Sequence, residues 1–187
     1  MRLRNHAFAI GMALLAPLSL QGQEVQRFDV GGSAVWAFDG LKSVTNNSFA
    51  GYHLEAGYNG NLAATDVPFR ASFGMNLFPG ADKGGSKASL TGYQVSGDIF
   101  TKTGIDKLRL VSGISLNRWK VKEEVGTVST TTSVKGLKFG GRLGLDYTAS
   151  AHVSCGLMLQ LVELGTDANS TKGVNPSWLE FGVRYRF

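Results

Sequence analysis

Charged side chains recur at isolated positions along this chain of 187 residues, and each stands between apolar neighbours in an alternating pattern. Ion pairing is the chemistry that such residues can perform if they all face one confined space, because buried charges are tolerated when they are paired or hydrated. The pattern predicts a network of paired charges, and a gated ion path is the alternative function of the same residues. The candidates are Asp29, Glu55, Arg70, Asp98, Arg109, Lys138, Arg142, Asp146, Glu180 and Arg184.

The elements that position these charges are eight runs in which every second residue is uncharged and mostly apolar. Strict alternation with period two is typical of strands with two unlike faces. The length of each run is about what a tilted membrane strand requires. The sequence predicts an all-β fold, an eight-stranded antiparallel up-and-down transmembrane β-barrel. The predicted strands are 28–38, 52–62, 69–77, 91–99, 108–116, 137–147, 153–161 and 179–187.

The connections between these runs alternate between short turns and longer polar loops. Even-stranded outer-membrane barrels have this asymmetry, with short periplasmic turns and longer external loops. Both termini are therefore expected on the periplasmic side. One long connection, GTVSTTTSV, has high strand propensity. It predicts either a hairpin that protrudes beyond the membrane or a flexible polar loop.

The first 23 residues differ from the rest, with two arginines followed by a short apolar run. That layout is typical of a secretory signal peptide, so residues 1–23 are predicted to be a signal peptide and residues 24–187 the barrel. Removing Arg2 and Arg4 lowers the formal charge from +5 to +3. The remaining basic residues are scattered, which gives no nucleic-acid footprint. The single cysteine, Cys155, excludes an internal disulfide.

Aromatic residues on the apolar face gather near the strand ends, which favours a barrel whose apolar face is outside. Outer-membrane barrels carry aromatic girdles at both membrane interfaces. A secreted soluble barrel with its apolar face turned inward around a ligand is the alternative. The predicted girdle is formed by Phe28, Trp36, Phe38, Tyr52, Phe69, Tyr93 and Tyr147.

The chain ends on Gly182, Tyr185 and Phe187, in the spacing Gly-x-x-aromatic-x-Phe. With the signal peptide and the eight strands, this ending resembles the small eight-stranded outer-membrane barrels that include the OmpA barrel domain and OmpX. The resemblance implies that these three residues are an assembly signal for the barrel assembly machinery. It also implies a bacterial outer-membrane location.

His152 and Ser154 form a His-x-Ser pair, which is similar to the pair in lipid A deacylases of the PagL type. Such a hydrolase needs a serine activated by a histidine and an orienting acid. The pair follows a short turn and is therefore expected at the periplasmic rim, both members with inward parity, while Glu163 has outward parity. We therefore predict no catalytic residue. His53 lacks neighbours at metal-ligand spacing, and we expect neither a metal nor a cofactor.

The expected function is envelope structure or surface contact, including adhesion, through the external loops, by a monomer whose lumen is plugged by charged side chains. A lipid A-modifying enzyme and a narrow pore for small solutes are the alternatives. The expected partners are outer-membrane lipid and lipopolysaccharide, the assembly machinery during biogenesis and a surface ligand. No nucleic acid is expected.

Overall fold

A computed structural model describes residues 27–38, 51–62, 65–133, 136–162 and 177–187. The predicted signal peptide, residues 1–23, lies outside this part. The described residues form nine strands, and they contain no helix long and apolar enough to cross a membrane. The strands are β1 (Phe28–Ala37), β2 (Gly51–Asn61), β3 (Pro68–Phe78), β4 (Ser86–Lys102), β5 (Leu108–Val125), β6 (Val128–Ser133), β7 (Lys138–Thr148), β8 (Val153–Val162) and β9 (Ser177–Arg186).

The strands close into an antiparallel barrel with eight strand positions around the ring. Neighbours in the chain pair around the ring, and β1 also pairs with β9, which closes it. Strand β5 is long enough to pair with β7 along its first part and with β6 along its last part, so β6 and β7 occupy one position in the ring. The predicted eight-stranded up-and-down barrel is confirmed, and each predicted run lies in a strand of its own.

The alternation of the sequence becomes the two surfaces of the barrel. Apolar side chains of the predicted outward positions are exposed on the outside, for example Leu143 at 53%, Val95 at 55% and Phe181 at 50%. Their neighbours in the chain point into the lumen and are largely buried. An exposed apolar band around a closed antiparallel barrel is the lipid-facing surface of a membrane barrel. We call this band the belt.

Two strands extend well beyond the belt. β4 has 17 residues and β5 has 18, against the nine predicted for each, and they stay paired up to Ser86 and Val125. A two-residue turn then leads into β6, with Gly126 at φ 57° in the first turn position, which a type II′ hairpin gives to glycine. The protruding hairpin, rather than the flexible loop, is therefore formed by the GTVSTTTSV segment. We call β6 with the paired upper ends of β4 and β5 the extension.

Inside the lumen, large side chains lie against inward glycines of neighbouring strands. Gly92 is paired with Trp119, and Gly113 with Asp98. A Cβ at Gly92 would lie 2.5 Å from the Trp119 ring, and one at Gly113 would lie 2.1 Å from the Asp98 carboxylate. These glycines are required by the close approach of the opposite side chain, because nothing larger fits into the same space.

Candidate functional site: the lumen and its ends

Arg70 on β3 is the centre of the first ion cluster in the lumen. Its guanidinium donates to both carboxylate oxygens of Asp29 on β1, with Nη2 2.5 Å from Oδ1 and Nε 2.9 Å from Oδ2. Its Nη1 lies 2.9 Å from Oε2 of Glu55 on β2. Asn59 donates a further hydrogen bond of 2.6 Å to Asp29. Arginine suits this place because its planar fork binds a carboxylate at two points.

Arg142 on β7 is the centre of the second cluster and reaches across the lumen. It lies 3.3 Å from Asp98 on β4, 3.5 Å from Glu180 on β9 and 4.0 Å from Glu55. It also donates a short hydrogen bond to the hydroxyl of Ser96. Since Glu55 contacts both arginines, the first two clusters are one continuous network.

A third cluster lies lower on the wall opposite β3. Arg184 on β9 pairs closely with Asp146 on β7, and Arg186 lies 3.4 Å from the same carboxylate. The predicted network residues Arg109 and Lys138 form no ion pair among the described residues. Both are half-buried at the two ends of the β5–β7 pairing, Arg109 opposite Asp146 and Lys138 opposite Asn117.

Asp98 and Arg109 lie on neighbouring strands but form no direct contact in the described part of the chain. Both residues lie on the inward face, as parity requires, but the register places Asp98 opposite Gly113 and Arg109 opposite Lys102. The turn that joins the strands covers residues 103–107, and the resulting register places Arg109 lower on the wall than Asp98. Asp98 is paired with Arg142 instead.

Above the charges, polar side chains form a hydrogen-bonded layer across the lumen, which we call the amide layer. His53 Nδ1 lies 2.7 Å from the Asn76 amide oxygen, and Asn76 donates to the Gln94 oxygen at 3.2 Å. Gln160 on the far wall donates to the same oxygen at 2.7 Å and to Ser115 at 3.2 Å. His53, for which no functional role was predicted, is buried here, and its Nε2 lies 3.3 Å from the Glu55 carboxylate.

The outer end of the lumen is filled by aromatic rings. Phe78, Trp119 and Trp178 lie with their ring centroids 5.6–5.9 Å apart, and both tryptophans are 0% exposed. Edge-to-face contacts at this separation are favourable. Buried aliphatic residues surround the rings, so we call this group the aromatic cluster: Val35, Ala37, Phe78, Leu90, Trp119, Val121, Val162 and Trp178.

His152 and Ser154 are not assembled as a hydrolase site. Ser154 is buried in the lumen wall, and its hydroxyl has no hydrogen-bond partner in the part of the chain that the structure describes. His152 is exposed at the periplasmic rim, where its ring stacks on Tyr185 at 5.7 Å and its Nδ1 faces the Arg186 carbonyl oxygen at 3.1 Å. The predicted inward parity of His152 is therefore wrong, because it contacts an outward side chain. Glu163 lies outside the described residues.

The predicted girdle residues lie on the outer surface at the ends of the strands. Tyr52 and Phe38 are exposed near the external end, and Phe28 and Tyr147 near the periplasmic end. The remaining members are Trp36 and Tyr93 at the external end and Phe69 at the periplasmic end.

The three residues of the predicted assembly signal are in two environments. Tyr185 and Phe187 are exposed on the outside with their rings 5.3 Å apart, and the Phe187 amide donates to the Phe28 carbonyl at 2.9 Å. Gly182 faces the lumen opposite Ser33, whose hydroxyl a Cβ would meet at 2.1 Å. Packing alone therefore requires glycine at this position.

Comparison with solved structures identifies the architecture. Neisserial surface protein A matches with a TM-score of 0.62 at 16% identity, over 86% of this chain and 96% of that one. Ail of Yersinia pestis matches with 0.56 at 13% identity, over 86% and 97%. The N-terminal barrel domain of Pseudomonas aeruginosa OprF matches with 0.55 at 16%, over 89% and 100%. The chain has the fold of the small outer-membrane barrels.

No protein-family model matches the sequence, and a search of curated proteins found no match. The assignment therefore depends on fold together with the surface that the fold exposes. A closed barrel of this size with an apolar exterior faces lipid, since the outside of a soluble barrel is polar. The fold and the belt together locate the chain in a bacterial outer membrane, and the alternative of a soluble ligand-binding barrel is wrong.

Proposed function

We propose that the chain is a surface-contact protein. Its membrane-spanning barrel is closed and supports the extension, and the extension binds an extended segment of a partner protein. The observation that carries this proposal is the β5–β6 hairpin. All six residues of β6 are exposed, and β6 pairs only with β5 among the described residues. An unpaired strand edge offers backbone donors and acceptors to another chain.

The composition of β6 suits strand addition. Its sequence, VSTTTS, is rich in β-branched residues and contains neither charge nor proline. Proteins usually blunt an exposed edge with lysine, proline or a bulge, and none of these is present in β6. A partner strand would gain backbone hydrogen bonds along the free edge, with threonine and serine side chains adding specificity. The structural neighbour Ail is named for attachment and invasion, which agrees with such a role.

We infer that the lumen does not carry solutes. The aromatic cluster, the amide layer and the ion network follow one another along the axis, and the largest side chains of each are buried. An eight-stranded barrel has an interior just wide enough for its own side chains. The small space beside Arg142, Glu180 and Gly182 has a volume of about 20 Å³, which is room for about one water molecule.

The remaining partners follow from the membrane position. The belt would contact outer-leaflet lipopolysaccharide and inner-leaflet phospholipid, and the assembly machinery would engage the last strand during biogenesis. We propose that the barrel acts as a monomer without a cofactor, because the ion network, the amide layer and the aromatic cluster are each built from side chains of one chain.

The test of the proposed function is adhesion of cells that display the barrel. Alternation from the pair that closes the hairpin, Val125 and Val128, directs the amide of Thr131 toward the free edge. Thr131→Pro would remove one edge donor without removing a β5–β6 hydrogen bond. We expect it to reduce attachment to cultured epithelial monolayers severalfold, to nearly the level of cells without the barrel.

Thr131→Ala is the matched control, because it removes the side chain and keeps the amide. It should retain most of the attachment. Surface exposure of each variant, measured by antibody against an epitope inserted between β8 and β9, corrects for assembly. Equal attachment by the proline and alanine variants at equal surface levels would reject strand addition at β6.

A further inference from the structure

Three basic side chains continue the lipid-facing row of β5 beyond the belt. On the outer face of this strand, Ile114 and Leu116 are exposed apolar residues. The next outward positions, two residues apart, are Arg118, Lys120 and Lys122, all of them exposed. We call these three residues the basic ladder. Between Leu116 and Arg118 the row changes from apolar to cationic side chains. This change indicates where the acyl-chain region of the membrane ends.

Hydroxyl groups flank the ladder on both sides. Thr91 and Ser133 are the cross-strand partners of Lys120, and Ser89 and Thr131 are those of Lys122. Partners in an antiparallel pair point to the same face of the sheet. The outer face of the extension therefore presents cations between rows of hydroxyls, a combination suited to phosphate oxygens and sugar hydroxyls.

Most of the positive charge on this face is not neutralised. Lys122 pairs with Glu124 at 2.5 Å, but Arg118 forms no ion pair among the described residues. Lys120 lies over the Tyr93 ring, 5.7 Å from its centroid. The other carboxylate of the upper strand, Glu123, has the opposite parity and faces away from the ladder. The cations are thus collected on the side that continues into the membrane.

The height of the ladder matches the headgroup region. Successive outward residues are about 6.6 Å apart along a strand, which corresponds to about 5 Å of height at the usual tilt. Arg118 is one step above Leu116 and is paired with Tyr93, an amphipathic ring of the kind that marks the interface. The ladder therefore spans about 10 Å directly above the acyl chains.

We propose that the basic ladder is a binding site for the phosphate groups of lipopolysaccharide in the outer leaflet. The arginine fork would take the phosphate nearest the acyl chains, and the two lysines would take anionic groups of the sugar above it. The lipid's acyl chains would lie against the belt below, along Ile114 and Leu116. This inference depends on the membrane position and the lipid partner proposed above, and it is independent of strand addition at β6.

The position on the face favours a lipid over a soluble polyanion. A sulfated glycan from the host would approach from above, where the turn of the hairpin carries Val125 and Val128 and a neighbouring cation, Lys87, lies opposite Glu124. The ladder instead begins at the edge of the belt and is continuous with it. A ligand that contacts both must have an acyl part and an anionic head.

The experiment measures binding of two lipids to the mature chain refolded in detergent micelles. The probes are lipid A with both phosphates and lipid A from which both phosphates have been removed, and bound lipid is counted by native mass spectrometry. Lys120→Gln with Lys122→Gln should weaken binding of the phosphorylated lipid about 25-fold, or about fivefold for each lysine. Binding of the dephosphorylated lipid should be weak and should not change.

The matched control is Lys102→Gln with Lys107→Gln, which removes two exposed lysines at the periplasmic end. It should leave both affinities unchanged. The proposal is overturned if the ladder variant binds phosphorylated lipid A like the wild type, or if it loses both lipids equally. It is also overturned if the ladder lysines are needed for a sulfated sugar and not for lipid A. The ladder variant keeps every backbone amide of β6 and should attach to epithelial monolayers like the wild type, so failure of the adhesion proposal would be seen separately.

Discussion

The outer end of the lumen is filled by three aromatic rings, Phe78, Trp119 and Trp178, whereas the inner end is filled by arginines and carboxylates. Both fill a cylinder of the same width. The rings contribute area and volume, and they pack against a complementary apolar surface. The arginines contribute charge, and the two at the centres of the network, Arg70 and Arg142, depend on partners from two and three other strands. The aromatic end can therefore lose one member and remain apolar, while the ionic end cannot lose one without leaving a charge unpaired.

The largest expected effect is at the aromatic end. Trp119→Ala should lower the free energy of unfolding by about 4 kcal/mol, because it removes a fully buried ring and leaves a cavity against Gly92. The measurement is urea unfolding of the barrel in lipid vesicles, at low and at high salt. The loss should be the same at both, since no charge is involved.

The control for this variant is Phe139→Ala, which removes an exposed ring from the belt and should cost much less. Planar-bilayer recordings should show no steady conductance for Trp119→Ala, because the amide layer and the ion network remain below the new cavity. A conducting Trp119→Ala barrel would mean that the aromatic cluster alone closes the lumen.

The next effect is at the ionic end. Arg142→Ala should cost about 3 kcal/mol, because it leaves Asp98 and Glu180 buried without their cation. The loss of unfolding free energy should be smaller than at a site without water, because the cavity beside Arg142 has room for a water molecule that can hydrate the two carboxylates. Arg109→Ala is the matched control, an inward arginine without an ion pair among the described residues. If both variants are equally stable in urea, the ion network contributes nothing.

A smaller effect is expected at Gly182, where the wall between the two ends is closely packed. Gly182→Ala should cost about 2 kcal/mol, because its Cβ would overlap the Ser33 hydroxyl. Ser33→Gly in the same chain should restore stability. Gly97→Ala, where nothing lies within 4 Å of the added carbon, should be nearly neutral.

The same pair of substitutions distinguishes packing from the assembly signal. Refolded stability in detergent and membrane yield in cells are measured for Gly182→Ala and for the double variant. If glycine serves packing alone, Ser33→Gly restores both quantities. A double variant that is stable in detergent but poorly assembled in cells would support a signal role for Gly182 itself.

The smallest effect concerns an exposed pair of the extension, outside both ends of the lumen. The hydrogen bond from Lys122, and then its charge, lower the pKa of Glu124. A carboxylate whose pKa is lowered on folding stabilises the folded state at neutral pH, and that contribution is lost as the pH falls through the folded pKa. NMR titration should show a higher Glu124 pKa in Lys122→Gln. An unchanged pKa would mean that the pair is not formed in solution.

The ionic end could be foreseen from the sequence, and the aromatic end could not. Parity alone places Asp29, Arg70 and Asp98 on the inward face, because a charge among alternating apolar residues must avoid lipid. The pairing between them could not be derived, since it depends on tilt and on turn length. The separation of Arg109 from Asp98 follows from the same cause, because a shift of register moves the whole strand.

Trp119, Phe78 and Leu90 were missed because the alternating runs appeared to end before them. Above the belt the inward positions become apolar while the outward positions become charged. The alternation continues, but the apolar residues now lie on the inward face of the strand. The signal that could have been found is the run RWKVKEE, in which Trp119 and Val121 alternate with cations. The role of His53 was also missed, because its hydrogen-bond partner Asn76 is distant in the chain and close only in the folded barrel.

The match of large side chains with opposite glycines has a consequence for how such a sequence can change over generations. Trp119 with Gly92, Asp98 with Gly113 and Arg184 with Gly31 each share one space, so neither member can enlarge unless the other shrinks. Compensated replacement in pairs is then the accessible route of divergence. Among descendants of this chain, these columns should covary across neighbouring strands, while the belt drifts freely among apolar residues.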